Sequence, residues 1–353
     1  MDKRGLTARL NDGGVICAEG YLFEMERRGY LTAGEFVPEV ALDHPETLMR
    51  LHKDFQHAGS DVMQAFTYNA HREKLRIIGK EDLLEKLNRA ALRIAREVAA
   101  DVPAGQEANL VAGNISNSNI WNPEDPSSQD QVRGMFSEMV GWALDEGVDF
   151  FIGETFYFAG EAFCALDVLK QSGLPAVVTI APMGENVMRD GWSIVDTCKE
   201  LEQRGAEVVG MNCFRGPNTM LPYLRDIREA VRCHVAGLPV PYRTTEAQTT
   251  FFNLEDRNGC TCPAPHDRAF PTALDPLYCN RYEIRAFAEE AYALGVQYLG
   301  LCCGAAPIHI REVAEAMGRR PAASRYAPNM RKHFMYGDDE ALPAHITSYG
   351  DKA

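Results

Sequence analysis

The feature that most constrains the fold of this 353-residue chain is the regular alternation of short apolar runs with helix-like stretches. Eight runs rich in apolar and β-branched residues predict buried strands. They cover residues 15–18, 61–67, 109–116, 148–156, 176–181, 207–214, 239–243 and 297–303. Apolar residues spaced three and four apart predict amphipathic helices between them. These helices cover residues 45–58, 80–100, 132–146, 160–172, 192–204, 220–235, 281–294 and 307–317.

Eight strands, each followed by a helix, are the pattern of a closed (β/α)8 TIM barrel. A doubly wound open sheet is the alternative, but no phosphate-binding glycine fingerprint follows the first strand. We therefore expect an α/β protein with one barrel domain over residues 1–318. Beyond it the periodicity fades, and residues 319–353 are expected to form a C-terminal arm that packs on the barrel or on another subunit of a homo-oligomer.

Composition excludes some partners. The formal net charge is −14 and no Lys/Arg-rich run is present, which argues against nucleic acid. No apolar stretch is long enough to suggest a membrane helix, and the N-terminus lacks the apolar centre of a signal peptide. Several of the ten cysteines lie inside apolar runs rather than in a disulfide-like framework. We expect a cytoplasmic protein with reduced thiols.

Two cysteine motifs end predicted strands six and eight. They are Gly210-Met211-Asn212-Cys213 and Gly300-Leu301-Cys302-Cys303-Gly304. Strand ends of a barrel meet at its C-terminal rim, where active sites lie, and these two strands are neighbours but one. Three thiols there suit a zinc ion with an open fourth position for a substrate thiol. The alternative is that they are ordinary buried apolar cysteines.

A second group of metal-ligand residue types lies in the long loop after the seventh predicted strand. It consists of Cys260, Cys262 and His266. The spacing supplies only three close ligands in a proline-rich stretch, so loop packing is the favoured interpretation.

Other residues at predicted strand ends could bind a substrate. Glu154 ends the fourth strand and Glu19 the first, and either carboxylate could accept a substrate ammonium or pair with a protein cation. Gly20 would allow close backbone approach to a ligand. Phe36 and Tyr68 fall near rim loops, where aromatic faces could attract an onium group, although core packing is the alternative.

With these residues in view, the chain resembles the zinc-dependent homocysteine S-methyltransferases, and within them the betaine–homocysteine enzymes. The resemblance covers about residues 5–317. It is carried by the two cysteine motifs together with segments 26–30, 44–46, 58–64, 148–154, 291–296 and 307–311.

The resemblance implies a barrel with Zn²⁺ held by Cys213, Cys302 and Cys303. It also implies that homocysteine binds through sulfur as the fourth ligand, and that its thiolate takes a methyl group from a cationic donor to give methionine. Glu154 matches the carboxylate that holds the homocysteine ammonium.

The chain departs from the family at four positions. Ala18 replaces an aspartate, for which Glu19 could compensate, and Ala65 replaces a threonine. Phe36 stands where the betaine enzymes have tryptophan, and Asn69 where they have tyrosine, so Tyr68 could supply the missing ring. Glycine betaine is the favoured donor. Dimethylsulfoniopropionate, S-methylmethionine and another betaine are alternatives, and a catalytically inactive zinc-binding barrel is a further one.

Overall fold

The computed structural model describes residues 3–103, 106–184, 186–255 and 268–347. Cys260, Cys262 and His266 lie outside these ranges. The strands are β1 (Val15–Ala18), β2 (Val62–Gln64), β3 (Leu110–Ser116), β4 (Phe150–Phe156), β5 (Ala176–Ile180), β6 (Val208–Asn212), β7 (His234–Leu238) and β8 (Val296–Leu301). All are parallel and pair in sequence order, and β8 closes on β1. The predicted TIM barrel is confirmed.

Helices follow the strands around the barrel. They are α1 (Leu6–Asn11), α2 (Tyr21–Arg27), α3 (Val40–Asp43), α4 (Pro45–Ala58), α5 (Arg72–Ile77), α6 (Leu84–Ala100), α7 (Pro126–Glu146), α8 (Ala159–Lys170), α9 (Ile194–Gln203), α10 (Pro217–Ala230), α11 (Arg281–Ala293), α12 (Pro307–Ala316) and α13 (Ala344–Thr347). Within the described ranges, no helix is both long and apolar enough to span a lipid bilayer.

Local signals explain where helices begin and end. α4 begins with Pro45 in its first turn and ends at Ala58, where Gly59 caps it with a φ of 114° that suits glycine. At α7, the Asp125 side chain accepts a hydrogen bond from the Ser127 backbone. Asn280 and Glu283 form a reciprocal capping box at α11. The sequence therefore sets these helix ends by ordinary capping chemistry.

One predicted strand was misplaced. Residues 239–243 were predicted as the seventh strand, whereas β7 is His234–Leu238 and α10 already ends at Ala230. Pro239 and Pro241 have no N–H to donate to a sheet ladder, so the strand stops before them. The helical spacing also predicts helix through His234 and Val235, which in the structure are the first residues of β7.

The barrel interior changes character from bottom to top. Alternate residues of each strand point inward. The lower layers are apolar, and α1 contributes Leu6 and Leu10 to the same cluster. The uppermost inward positions are polar instead: Glu19, Gln64, Asn114, Glu154, Thr179 and Asn212, all buried. Polar groups buried in this way need partners, which they find in one another.

Candidate active site

The three cysteines of the two motifs converge at the C-terminal rim. Their sulfur atoms lie within 4.8 Å of one another, and all three residues are buried. The Cys302 and Cys303 sulfurs are 3.9 Å apart. Sulfurs on two corners of a tetrahedron around zinc are about 3.8 Å apart, from a Zn–S distance of about 2.3 Å. The donor atoms and their spacing therefore fit a thiolate metal site.

β7, the strand between β6 and β8, brings these cysteines together. Its last carbonyl, at Leu238, accepts a hydrogen bond from the Cys213 N–H at 2.9 Å. The next carbonyl, at Pro239, accepts one from the Cys302 N–H at 3.0 Å. Because β6 and β8 both pair with β7, their ends are held at the same height of the barrel. The two cysteine motifs therefore lie close together, although one strand separates the strands that carry them.

Burial and mutual hydrogen bonding shift the pKa values of the three thiols in different directions. Burial opposes ionisation of Cys213, but hydrogen bonds from Cys302 and Cys303 outweigh it and lower its pKa to about 6. The pKa of Cys302 is raised by burial and by its bond to Cys213. The pKa of Cys303 is raised by its bonds to Cys213 and Cys302 and by burial. Without a cation, the cluster favours a single thiolate, whereas a soft divalent cation would stabilise all three.

Directly below the thiols, Glu154 is held by amides. Its Oε1 accepts hydrogen bonds from Gln64 at 2.7 Å and Asn114 at 2.6 Å. Its Oε2 accepts one from Asn212 at 2.9 Å. Burial and the neighbouring Cys302 raise the pKa of Glu154 to about 8. Within the described residues, no lysine or arginine forms an ion pair with this carboxylate.

Glu19 lies beside Glu154 in the same polar layer. Asn212 donates to its Oε2 at 3.3 Å, while its Oε1 is buried and has no hydrogen-bond partner. Burial and the Glu154 charge raise the pKa of Glu19 well above its ordinary value. An unpartnered buried carboxylate oxygen is costly unless a ligand donates to it. The pair therefore suits a cationic group such as a substrate ammonium.

Asn212 connects these parts of the site. Its Oδ1 accepts from the Thr155 N–H and the Thr179 hydroxyl, both at 2.9 Å. Its Nδ2 lies 2.9 Å from Glu154 Oε2 and 3.7 Å from Cys302 Sγ. One amide thus orients both a carboxylate and a candidate metal ligand.

Gly20 has a structural reason to be glycine. A Cβ at this position would overlap the carbonyl oxygen of Ala305, in the turn that follows the cysteine pair. The close approach is therefore made by the protein's own backbone, between the loops after β1 and β8. In this structure Gly20 contributes to the shape of the site through that turn.

The predicted donor residues lie on the loops after β1 and β2. The Asn69 side chain donates to the Phe36 carbonyl at 3.2 Å, so it ties the two loops together. Tyr68 accepts a hydrogen bond from Asn117 at 3.3 Å. Its pKa is raised well above the ordinary value by burial and then by the charges of Cys213 and Cys303.

Left-handed backbone marks the same region. Positive φ values at non-glycine residues occur at Phe36 (53°), Asn69 (62°), Asn119 (65°), Thr155 (62°), Cys213 (57°) and Phe214 (54°). Thr155 is the second-last residue of β4, Phe36 lies between α2 and α3, and the others follow the ends of β2, β3 and β6. Such conformations cost about 1–3 kcal/mol each and cluster at functional sites. Backbone strain thus independently points to this rim.

Several residues of the site were not singled out from the sequence. Gln64, Asn114, Thr179 and Asn117 complete the hydrogen bonds of Glu154, Asn212 and Tyr68. A signal was available for the first three, because a polar residue at an inward position of a buried strand is unusual. Asn117, just beyond the end of β3, gave no such signal.

The chain is similar to known proteins in sequence and in fold. Residues 20–317 match the family described as homocysteine S-methyltransferase. Betaine–homocysteine S-methyltransferase 1 of Xenopus tropicalis is 35% identical over 348 residues, covering 95% of this chain and 80% of that protein. S-methylmethionine–homocysteine S-methyltransferase BHMT2 of Pongo abelii is 33% identical over 350 residues, covering 97% and 88%.

Among solved structures, the metallated form of the homocysteine methyltransferase MmuM from Escherichia coli superposes with a TM-score of 0.67. The match covers 87% of this chain and 98% of that one, at 17% sequence identity. At that identity the likeness concerns the fold.

Proposed function

The chain belongs to the homocysteine S-methyltransferase family and is a methyltransferase, and from that premise we propose that it transfers a methyl group from glycine betaine to homocysteine. The observation that carries the proposal is the convergence of three buried thiols directly above two buried carboxylates. The thiols suit a metal that binds a substrate sulfur, and the carboxylates suit the ammonium of the same amino acid. Homocysteine carries both groups a few bonds apart.

Cys213, Cys302 and Cys303 would hold Zn²⁺, which when bound supplies a Lewis acid that keeps a substrate thiol ionised at neutral pH. Glu154 would accept the α-ammonium, and the free oxygen of Glu19 would take a further N–H of the same group. These contacts fix the substrate from its amino end and aim its sulfur at the rim. Alignment of this kind accounts for a large part of catalysis in a two-substrate reaction.

In the reaction, the homocysteine thiolate forms a bond to the methyl carbon of the donor, and the bond from that carbon to the onium nitrogen breaks. The electron pair stays on nitrogen, so the leaving group is the neutral amine dimethylglycine. The thiol proton has already passed to solvent. No protein group has to protonate the leaving group, and the site needs only to align the two substrates and exclude water.

Tyr68 and Phe36 are the residues we propose for the donor side. Tyr68 follows β2 at the C-terminal rim, and Asn117 donates a hydrogen bond to its oxygen. An aromatic ring beside a methylammonium contributes about 0.5–2 kcal/mol through cation–π attraction. Asn69, whose amide is bonded to the Phe36 backbone, would position that ring rather than contact the donor.

The methyl donor is the substrate in which the named relatives differ. One relative is named for betaine and another for S-methylmethionine at similar identity. The experiment is a comparison of kcat/KM for methionine formation with glycine betaine, S-methylmethionine and dimethylsulfoniopropionate. We expect glycine betaine to be used best. A sulfonium donor at least 10-fold better would replace betaine, and methionine from none of them would contradict the proposed function.

We also propose that the chain acts as a cytoplasmic homo-oligomer through its arm. The arm displays large side chains to solvent: Tyr326, Met330, Phe334 and Tyr336 are each more than half exposed. Exposed apolar clusters of this kind mark protein contacts. Light scattering should show that the wild-type protein has the mass of a dimer or of a larger oligomer. Phe334→Asp should lower that mass toward the mass of a monomer. A wild-type monomer would contradict this assignment.

A further inference from the structure

The turn that carries Cys303 is held by a group of three side chains from elsewhere in the barrel, which we name the rim clamp: Arg27, Tyr242 and Tyr278. Arg27 ends α2, Tyr242 follows β7, and Tyr278 precedes α11. None of them belongs to the cysteine cluster or to the polar layer beneath it. The clamp meets the cysteine turn at Gly304.

The clamp is internally connected. Arg27 Nη2 donates to the Tyr242 hydroxyl at 3.0 Å, and the guanidinium carbon lies 4.8 Å from the centre of the Tyr278 ring. The two tyrosine rings are 4.9 Å apart. Their backbones pair as an antiparallel bridge, with the Cys279 N–H donating to the Pro241 carbonyl at 2.9 Å. Arg27 is therefore fixed by a hydrogen bond, by a cation–π contact and by an ion pair with Asp275.

The clamp contacts Gly304 on two sides. The Tyr278 hydroxyl donates a hydrogen bond to the Gly304 carbonyl. The Tyr242 hydroxyl fills the space where a Cβ of residue 304 would stand. Gly304 has a φ of 95°, a backbone conformation that residues other than glycine rarely adopt. Tyr242 is fully buried, so this wall of the turn is rigid.

This contact bears on Cys303 more than on the other cysteines. The backbones of Cys213 and Cys302 are bonded to carbonyls at the end of β7. Cys303 lies beyond the last strand residue, in a turn closed by the Ala305 N–H donating to the Cys302 carbonyl at 3.0 Å. Consecutive side chains of a regular strand point to opposite faces, so Cys303 reaches the cluster only if this turn keeps its shape.

We propose that the rim clamp is the positioning device for Cys303: it holds the turn so that the third sulfur stays within reach of a metal bound by Cys213 and Cys302. The inference rests on the proposed function in so far as it concerns the metal. Residues that orient metal ligands in this way typically change metal affinity by about 10–100-fold when removed.

The test uses Tyr278→Phe in the full-length protein. This variant keeps the ring against Arg27 and Tyr242 and removes the hydroxyl that donates to Gly304. Tyr282→Phe is the matched control, because that tyrosine lies four residues further on and is 66% exposed. The first readout is the rate at which zinc-loaded protein gives up its metal to a chromogenic chelator. We expect release about 10-fold faster from Tyr278→Phe and unchanged from Tyr282→Phe.

Two further readouts separate positioning from general destabilisation. The visible spectrum of the cobalt-substituted protein reports the number of thiolate ligands, and it should lose thiolate charge-transfer intensity in Tyr278→Phe. Alkylation of Cys303 should be faster in metal-free Tyr278→Phe than in the metal-free wild type. Tyr242→Phe is a second variant with the same expected results.

The outcomes are distinguishable. Wild-type rates of zinc release and Cys303 alkylation in both folded variants would overturn the inference. A wild-type protein that binds no zinc would contradict the proposed function, and the alkylation comparison would still decide whether the clamp positions Cys303.

Discussion

At the residue scale, the decisive arrangement is a carboxylate bonded by amides and unpaired with any cation among the described side chains. Glu154 accepts from Gln64, Asn114 and Asn212, which orient it without neutralising it. Ionising such a group in a buried site is costly until a cation arrives. A bound ammonium would meet that need, so Glu154 is suited to recognise an amino acid.

Replacing Glu154 with glutamine should therefore weaken homocysteine binding. The side-chain shape and an acceptor oxygen for Gln64 and Asn114 are retained, while the charge opposite the ammonium is lost, which is worth about 1.5–3 kcal/mol. We expect the KM for homocysteine to rise at least 10-fold and the KM for the donor to change little. Glu97→Gln, on the exposed face of α6, is the control. An unchanged homocysteine KM in Glu154→Gln would remove this role.

The placement of Glu154 and the three cysteines at the C-terminal rim could be predicted from the sequence, because each lies at the end of an apolar run that predicts a strand. The amides around Glu154 could have been predicted from strand periodicity. The direction of the Asn69 side chain could not. It depends on the approach of two loops distant in sequence, which no local pattern encodes.

At the element scale, the site depends on how closely the loops after β1 and β8 approach each other. Gly20 allows the Ala305 carbonyl to lie against its Cα, and that carbonyl belongs to the turn after the cysteine pair. From the sequence we expect a ligand to approach Gly20, whereas the structure places the Ala305 carbonyl there, because a missing side chain does not say what fills its space.

Gly20→Ala should push the turn after β8 outward. We expect a loss of about 1–3 kcal/mol in the free energy of unfolding from overpacking, together with weaker zinc binding. Gly134→Ala is the matched control, since open space surrounds that position in α7 and helix propensity favours alanine there. It should be neutral or slightly stabilising. Wild-type stability and zinc affinity in Gly20→Ala would show that the two loops do not press on each other.

The position of the seventh strand also depends on how neighbouring elements pair. Apolar residues around Val240 gave a strand-like pattern, but the two prolines beside it cannot join a sheet interior. Helix and strand periods overlap over five residues, so the boundary between α10 and β7 was set by the closure of the barrel rather than by local sequence.

At the scale of the whole molecule, the closed barrel follows from counting alternating elements, while its pH response depends on burial that only the fold reveals. Glu161, in the first turn of α8, is almost fully buried and accepts hydrogen bonds from the Ser118 N–H and hydroxyl. Burial raises the pKa of Glu161 to about 7, from an ordinary value of 4.5.

That shift predicts a direction for stability. Between about pH 4.5 and 7 the unfolded chain has lost the Glu161 proton while the folded protein still holds it, so this group lowers stability as pH rises. Glu161→Gln cannot ionise. Its free energy of unfolding relative to the wild type should therefore improve by up to about 3 kcal/mol between pH 4.5 and 8. Urea unfolding at both pH values measures this, with Glu97→Gln as control. An equal difference at both pH values would contradict it.

The most direct measurement is zinc content together with turnover in the wild type and in Cys303→Ala. The wild type should hold about one zinc per chain, lose methionine formation when a chelator removes the metal and regain it when zinc is restored. Cys303→Ala should neither retain zinc nor form methionine, while remaining folded. Full turnover by a zinc-free Cys303→Ala protein would contradict the account.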